Sequence, residues 1–144
     1  MVVTKQYIRK ENILAKIIHT MIRVFDLQKS QDFYQNIFNL KKSYCLDYPE
    51  FTLLYLRGEH SDVELELTFN KNKTTPYQLG DGYGHIAFAV DDLESIHQKI
   101  QKLGVETGKI IEFKNDHTLI AKFFFISDPD GYKIEILQRH GHYQ

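Results

Sequence analysis

The sequence predicts an α+β fold made of two tandem βαβββ modules, and three observations within its 144 residues carry that prediction. Strand-like runs rich in β-branched and aromatic residues alternate with two stretches of helical period, each opened by an Asp-Leu pair. The order repeats with matched spacing: His19 precedes Asp26 by seven residues, and His85 precedes Asp92 by seven. Each half also ends in a strand with a central glutamate, Glu66 and Glu135, which follow those histidines by 47 and 50 residues. Neither module can bury a sheet face well alone, so the two are expected to pair about a pseudo-two-fold axis.

Residues 1–14 mix charges with isolated apolar residues and show no period, so they read as an N-terminal arm. One domain is expected over residues 15–139, with modules at about 15–72 and 83–139, followed by a C-terminal tail at 140–144. The first strand, IIHTMIRV at 17–24, places His19, Met21 and Arg23 on one face and Ile18, Thr20, Ile22 and Val24 on the other. Asp26 caps a helix in which Leu27, Ser30, Phe33, Tyr34, Ile37 and Phe38 recur at helical spacing until Asn39. FTLLYLRG and VELELTFN, at 51–58 and 63–70, flank a polar EHSD and read as a hairpin. In the second of these strands Val63, Leu65, Leu67 and Phe69 face one way, and Glu64, Glu66, Thr68 and Asn70 face the other.

A loop containing Pro76 and Gly80 leads through DGYG to HIAFAV, residues 85–90, a second strand with a histidine, here at its first position. Asp92 caps a second helix with Leu93, Ile96, Ile100 and Leu103 inward and Gly104 at its end. After a strand around Gly108 to Phe113, AKFFFIS and YKIEIL flank Asp128-Pro129-Asp130-Gly131. That tetrad signals a hairpin, because Pro129 presets φ at the second turn position and Gly131 accepts positive φ at the exit. Glu135 shares its face with Lys133 and Leu137. The tail is polar and expected to fray, and His140 and His142 within it are not read as metal ligands.

Composition narrows the function classes. Eighteen basic and nineteen acidic residues nearly cancel, and no Lys/Arg cluster interleaves with aromatics, so nucleic acid is not an expected partner. No apolar run is long enough to cross a membrane, and residues 1–19 lack the pattern of a secretory signal, so a soluble cytoplasmic protein is expected. Cys45 is the single cysteine, which excludes an internal disulfide and any thiolate metal cluster. A metal site must therefore use His and carboxylate.

Taken singly, a strand histidine is more often bonded locally, and a strand glutamate is more often solvated on an open sheet face. His19, Glu66, His85 and Glu135 occupy equivalent places in a repeat, however, and symmetry would bring corresponding strands together. Two imidazoles and two carboxylates suit a borderline divalent ion with open or water-filled positions. The constellation is far more specific than its members.

At these residues the chain resembles glyoxalase I (lactoylglutathione lyase) in the vicinal oxygen chelate superfamily. The resemblance runs from about Ile18 to Leu137 through HTMIRVFDLQKSQDFY, ELTFN, GYGHIAFAV and DPDGYKIEI. It implies the family's fold, with curved sheets around a metal site, and places the four metal ligands on His19, Glu66, His85 and Glu135. It further implies a homodimer in which each site takes His19 and Glu66 from one subunit and His85 and Glu135 from the other. Because the chain resembles the compact form of the family and carries His at position 19, Ni is the expected metal, with Co and Zn as alternatives.

The activity implied is isomerisation of the hemithioacetal of methylglyoxal and glutathione to S-lactoylglutathione through an enediolate. Glutathione serves as co-substrate. Glu135 is the expected base, and Glu66 is its symmetry-related partner in the proton shuttle. Arg23 and Asn70 match family positions that contact the glutamyl end of glutathione. The match departs at FKNDHTLIAKF, residues 113–123, which replaces a family loop rich in Gly and Lys; Lys114 and Lys122 are left as possible carboxylate partners there. The competing readings are a superfamily thiol transferase acting on an antibiotic, a ring-cleaving dioxygenase, or a non-catalytic small-ligand binding module. The first two generally use two His and one Glu, so Glu66 disfavours them, and the third predicts lost ligand residues, whereas none is lost.

Overall fold

The computed structural model describes residues 15–144, so the expected arm at residues 1–14 lies outside the described residues. The elements run β1 (His19–Arg23), α1 (Leu27–Phe38), β2 (Lys41–Asp47), β3 (Phe51–Arg57), β4 (Glu64–Asn70), β5 (Ile86–Val90), α2 (Leu93–Lys102), β6 (Ile111–Asn115), β7 (Thr118–Ser127) and β8 (Lys133–Gln138). Both halves are therefore βαβββ. Each forms one four-stranded sheet, in the orders β1-β4-β3-β2 and β5-β8-β7-β6. In both sheets the first strand of the module runs parallel to the last, and the other pairs are antiparallel.

The helix ends follow from local chemistry. The Asp26 carboxylate accepts from Lys29 N at 3.0 Å, and that of Asp92 accepts from Ser95 N at 2.9 Å. Each satisfies a backbone donor that the first helical turn leaves without an intrahelical partner. Asn39, at φ 54°, closes α1 in the left-handed conformation that Asn tolerates. Gly104, at φ 77°, does the same beyond α2.

Alternation then sorts the faces. Ile22, Val24, Leu54, Leu56, Leu65 and Leu67 are buried on one face of the first sheet, with Tyr34 and Ile37 of α1 in the same core. Phe124, Ile126, Ile134 and Ile136 take the corresponding places in the second sheet, with Leu93 and Ile100 of α2. The opposite face of each sheet is left for other work.

The modules share one core, and Phe38 stacks on Phe88 across them at 4.0 Å between ring centroids. The Asp128–Gly131 turn latches them. Tyr34 Oη donates to Asp128 Oδ2 at 2.7 Å, Phe25 N donates to Asp130 Oδ1 at 2.8 Å, and Tyr132 Oη donates to the Arg23 carbonyl at 3.0 Å. Burial pushes the Asp128 carboxyl up, and burial with the charge of Asp128 pushes the Tyr34 phenol up more strongly.

Some elements differ from the sequence reading. β2 has no place of its own there, because KKSYCLD keeps most side chains exposed and so shows no hydrophobic alternation. The strand expected near Gly108 begins at Ile111, and His85 stands one residue ahead of β5. Val63 and Leu103, assigned to apolar faces, are exposed. Phe113 to Phe123 folds as a β-hairpin whose tip residues Asp116 and His117 have φ of 45° and 70°, the positive values a two-residue primed turn requires. The tail folds back through a bridge between His140 and Tyr143.

Candidate metal centre

Register explains how each histidine meets its glutamate. Glu66 pairs with Met21 on β1, and Glu135 pairs with Ala87 on β5. His19 and His85 each lie two residues earlier on the same face, diagonally across a parallel strand pair. His19 Nε2 is 3.1 Å from Glu66 Oε2, and His85 Nε2 is 3.0 Å from Glu135 Oε2. The carboxylates are sunk, with side chains 10% and 15% exposed, whereas the imidazoles are 36% and 44% exposed. Both pairs therefore open outward from the sheet.

The four residues do not gather within one chain. Among the described residues no three His, Cys, Asp or Glu side chains form a group able to hold a metal ion. The symmetry argument from the repeat thus delivers two equivalent half-sites, each supplying one imidazole and one carboxylate. The donor set fits a divalent ion once two halves combine. Two ligand atoms about 2.1 Å from one ion are about 3.0 Å apart at a right angle and about 3.4 Å apart at a tetrahedral angle. The observed separations match the right-angle case, and they equally suit a direct His-to-carboxylate hydrogen bond.

Two residues beside these pairs were missed by the sequence reading. Tyr55 pairs with Glu66 from β3, and Phe125 pairs with Glu135 from β7. Each ring packs edge-on against its histidine, Tyr55 at 5.7 Å from His19 and Phe125 at 5.5 Å from His85. The signal lay in the repeat, as an aromatic residue at a matched place in the penultimate strand of each module.

The halves are not identical. Thr68 Oγ1 donates to Glu66 Oε1 at 3.0 Å, while the matching position two residues after Glu135 is Leu137. Burial and the charge of Glu66 push the Tyr55 phenol up, and its counterpart Phe125 has no hydroxyl. Glu66 is thus held on its protein side, and among the described residues Glu135 has His85 as its sole polar partner.

The other candidates fall as follows. Arg23 is exposed, shares the His19 face, pairs with Thr68, and makes no ion pair among the described residues. Asn70 lies on the Glu66 face and donates from Nδ2 to Tyr77 Oη at 2.8 Å. Lys114 pairs with Glu112 at 2.8 Å. Lys122 lies on the helix-facing side of β7 and pairs with Glu94 of α2, away from Glu135. Among the tail residues, His140 Nε2 lies 3.1 Å from the Leu119 carbonyl, and the His142 ring packs edge-on against Tyr143.

Comparison with known proteins gives the family. Residues 16–136 match the family described as Glyoxalase/Bleomycin resistance protein/Dioxygenase superfamily. The lactoylglutathione lyase of Neisseria meningitidis serogroup A is 42% identical over 132 residues, covering 86% of this chain and 91% of the relative. The trypanothione-dependent glyoxalase I of Leishmania major superposes with a TM-score of 0.70 at 35% identity, over 87% of each chain. Glyoxalase I from Zea mays superposes with a TM-score of 0.76 at 29% identity; it covers 88% of this chain, which spans only 45% of the maize chain. With the fold, the repeat and these relatives in agreement, the chain belongs to the Glyoxalase/Bleomycin resistance protein/Dioxygenase superfamily, in its glyoxalase I (lactoylglutathione lyase) branch.

Proposed function

We propose that this chain acts as a lactoylglutathione lyase, converting the hemithioacetal of methylglyoxal and glutathione to S-lactoylglutathione at a metal site shared between two copies. The observation that carries the reading is the pair of equivalent His–Glu half-sites, 3.1 and 3.0 Å across, on separate sheets of a chain 42% identical to such a lyase. In the homodimer, His19 and Glu66 of one copy meet His85 and Glu135 of the second. Ni²⁺ is the expected ion, ahead of Co²⁺ and Zn²⁺, a reading supported by the resemblance to the compact form of the family and by His at position 19. The hemithioacetal forms from a free thiol, which favours a reducing compartment, the cytoplasm.

When bound, the ion supplies positive charge that stabilises the enediolate oxygens. The Glu135 carboxylate takes the proton from C1 of the hemithioacetal, and the C–H electron pair moves towards the C2 carbonyl. The same carboxyl returns the proton to C2, while the proton of the C1 hydroxyl passes to the C2 oxygen, leaving a thioester carbonyl at C1 and a hydroxyl at C2. Glu135 suits this work because among the described residues no hydroxyl ties it, whereas Thr68 holds Glu66 in place. Arg23 and Asn70, which share the His19 and Glu66 face, would take the glutamyl end of the thiol, a reading supported by their match to family positions.

The test is to strip the protein of metal and supply methylglyoxal with glutathione, adding back Ni²⁺, Co²⁺ or Zn²⁺ separately. Thioester formation restored best by Ni²⁺ is expected. Its absence with every metal, for glutathione and trypanothione alike, would sink the reading.

A further inference from the structure

A site built from two equivalent halves offers two carboxylates equally placed to take a proton, yet a proton shuttle needs one that moves and one that stays on the metal. The polar groups around each carboxylate separate the two tasks. Glu66 has Thr68 Oγ1 on its Oε1 at 3.0 Å and His19 Nε2 beside its Oε2 at 3.1 Å. Glu135 has only His85 among the described residues. Thr68 sits on the same strand as Glu66, two residues along, so it shares that strand's movements. A restraint anchored on a different strand holds the carboxylate more firmly.

Tyr55 has that position. β3 sets it directly opposite Glu66, where the Cβ atoms of a cross-strand pair are about 5 Å apart. Its ring lies edge-on to His19, at 5.7 Å and 77°, so one side chain adjoins both members of the half-site. Tyr55 is itself held in place: Tyr44 packs against its ring from β2 at 6.1 Å, and Ser43 Oγ donates to its carbonyl at 3.2 Å. Burial, then the charge of Glu66 and a hydrogen bond to it, keep the phenol above its ordinary range. A carboxylate offers about four acceptor sites, so Glu66 accommodates this hydroxyl beside Thr68 and a metal. Phe125 holds the same place opposite Glu135 and packs edge-on to His85 at 5.5 Å and 74°. The ring is common to both halves; the hydroxyl is the difference.

We propose that Tyr55 sets the division of labour between the two carboxylates: its hydroxyl donates to Glu66, holds it as a stationary metal ligand, and leaves Glu135 as the one free to carry the proton. Tyr55 acts through Glu66, so it is a positioning residue. A carboxylate tied from its own strand and from the neighbouring one does not swing off the metal towards C1, whereas one tied by neither does. The kinetic part of this assignment rests on the lyase reading, and its metal-binding part does not.

The test compares the wild type, Tyr55→Phe, Glu135→Gln and the double variant Tyr55→Phe/Glu135→Gln. Phe keeps the ring against His19 and removes only the hydroxyl. On protein stripped of metal, calorimetric titration should show Ni²⁺ binding about tenfold weaker in Tyr55→Phe than in the wild type, the usual loss when a group supporting a metal ligand is removed. Kinetics are then measured with Ni²⁺ saturating every variant. Releasing Glu66 lets its carboxylate take the proton from C1 and return it to C2, so the residual kcat of Glu135→Gln should rise about tenfold when Tyr55→Phe is added, with KM unchanged. A role for Tyr55 in the fold alone would lower activity in both backgrounds. Equal Ni²⁺ affinities for the wild type and Tyr55→Phe overturn the assignment, and so does a residual kcat that stays level or falls in the double variant. If the wild type forms no thioester, the lyase reading falls by itself, and the Ni²⁺ titration still decides whether Tyr55 holds Glu66.

Discussion

A site divided between two copies makes a quantitative prediction that a site within one chain does not. His19→Ala removes a ligand from the first half-site, and its half-exposed ring leaves the core intact. Glu135→Gln keeps the shape of the second half-site but removes the proposed base. Each homodimer should fall by a factor of about 10²–10⁴, the usual worth of a positioned general base or its equivalent. In a heterodimer of the two variants, one site receives both lesions. The other takes His19 and Glu66 from the chain carrying Glu135→Gln, and His85 and Glu135 from the chain carrying His19→Ala. That second site is wild type. Purified heterodimer, obtained by co-expressing differently tagged chains, should therefore regain about half of wild-type kcat, and a statistical mixture about a quarter. The assay is thioester formation with Ni²⁺ present. Heterodimer activity no higher than the better homodimer would refute the shared site and return all four residues to one chain.

Three further outcomes follow. Glu135→Gln should lose more kcat than Thr68→Val, which should instead weaken Ni²⁺ binding by loosening Glu66; calorimetric metal titration with equal affinities for wild type and Thr68→Val would contradict the tethering role of Thr68. Tyr34→Phe leaves Asp128 Oδ2 without its buried donor, which costs about 2 kcal/mol, or about 1 M in the urea midpoint at fixed protomer concentration. The folded-state phenol value of Tyr34 lies above the unfolded one, so the contribution of the neutral phenol is complete below about pH 10 and is lost as pH rises further; the gap between Tyr34→Phe and wild type should narrow there. Asp92→Ala should lower Tm at neutral pH. Ser95 N–H holds the Asp92 carboxyl below its ordinary range, so that contribution exists above the unfolded value and is lost as pH falls through the lower folded one. A Tm difference that persists at pH 2 would argue against this capping charge.

Much of the fold and the pairing of each histidine with its glutamate were legible in the chain because they depend on local period and on repetition. Asp26 and Asp92 cap helices wherever a helix starts, and alternation in VELELTFN separates Leu65 and Leu67 from Glu66 whatever lies opposite. The repeat singled out His19, Glu66, His85 and Glu135 because chemistry placed at equal positions is improbable by chance. KKSYCLD was not legible, since its strand is held by hydrogen bonds to β3 and not by an apolar stripe.

What only the tertiary structure decided is who meets whom. Sequence spacing cannot say whether two half-sites close on each other in one chain, and the latch of Asp128 and Asp130 onto Tyr34 and Phe25 fixes an arrangement in which they do not. Cross-strand register, which depends on pairing between distant segments, set Tyr55 and Phe125 against the histidines and gave Thr68 to one glutamate alone. It also turned Lys122 to the helix face, against Glu94. Residue types and their periods were written along the chain; the inequality of the two carboxylates arose only when separate strands were brought side by side.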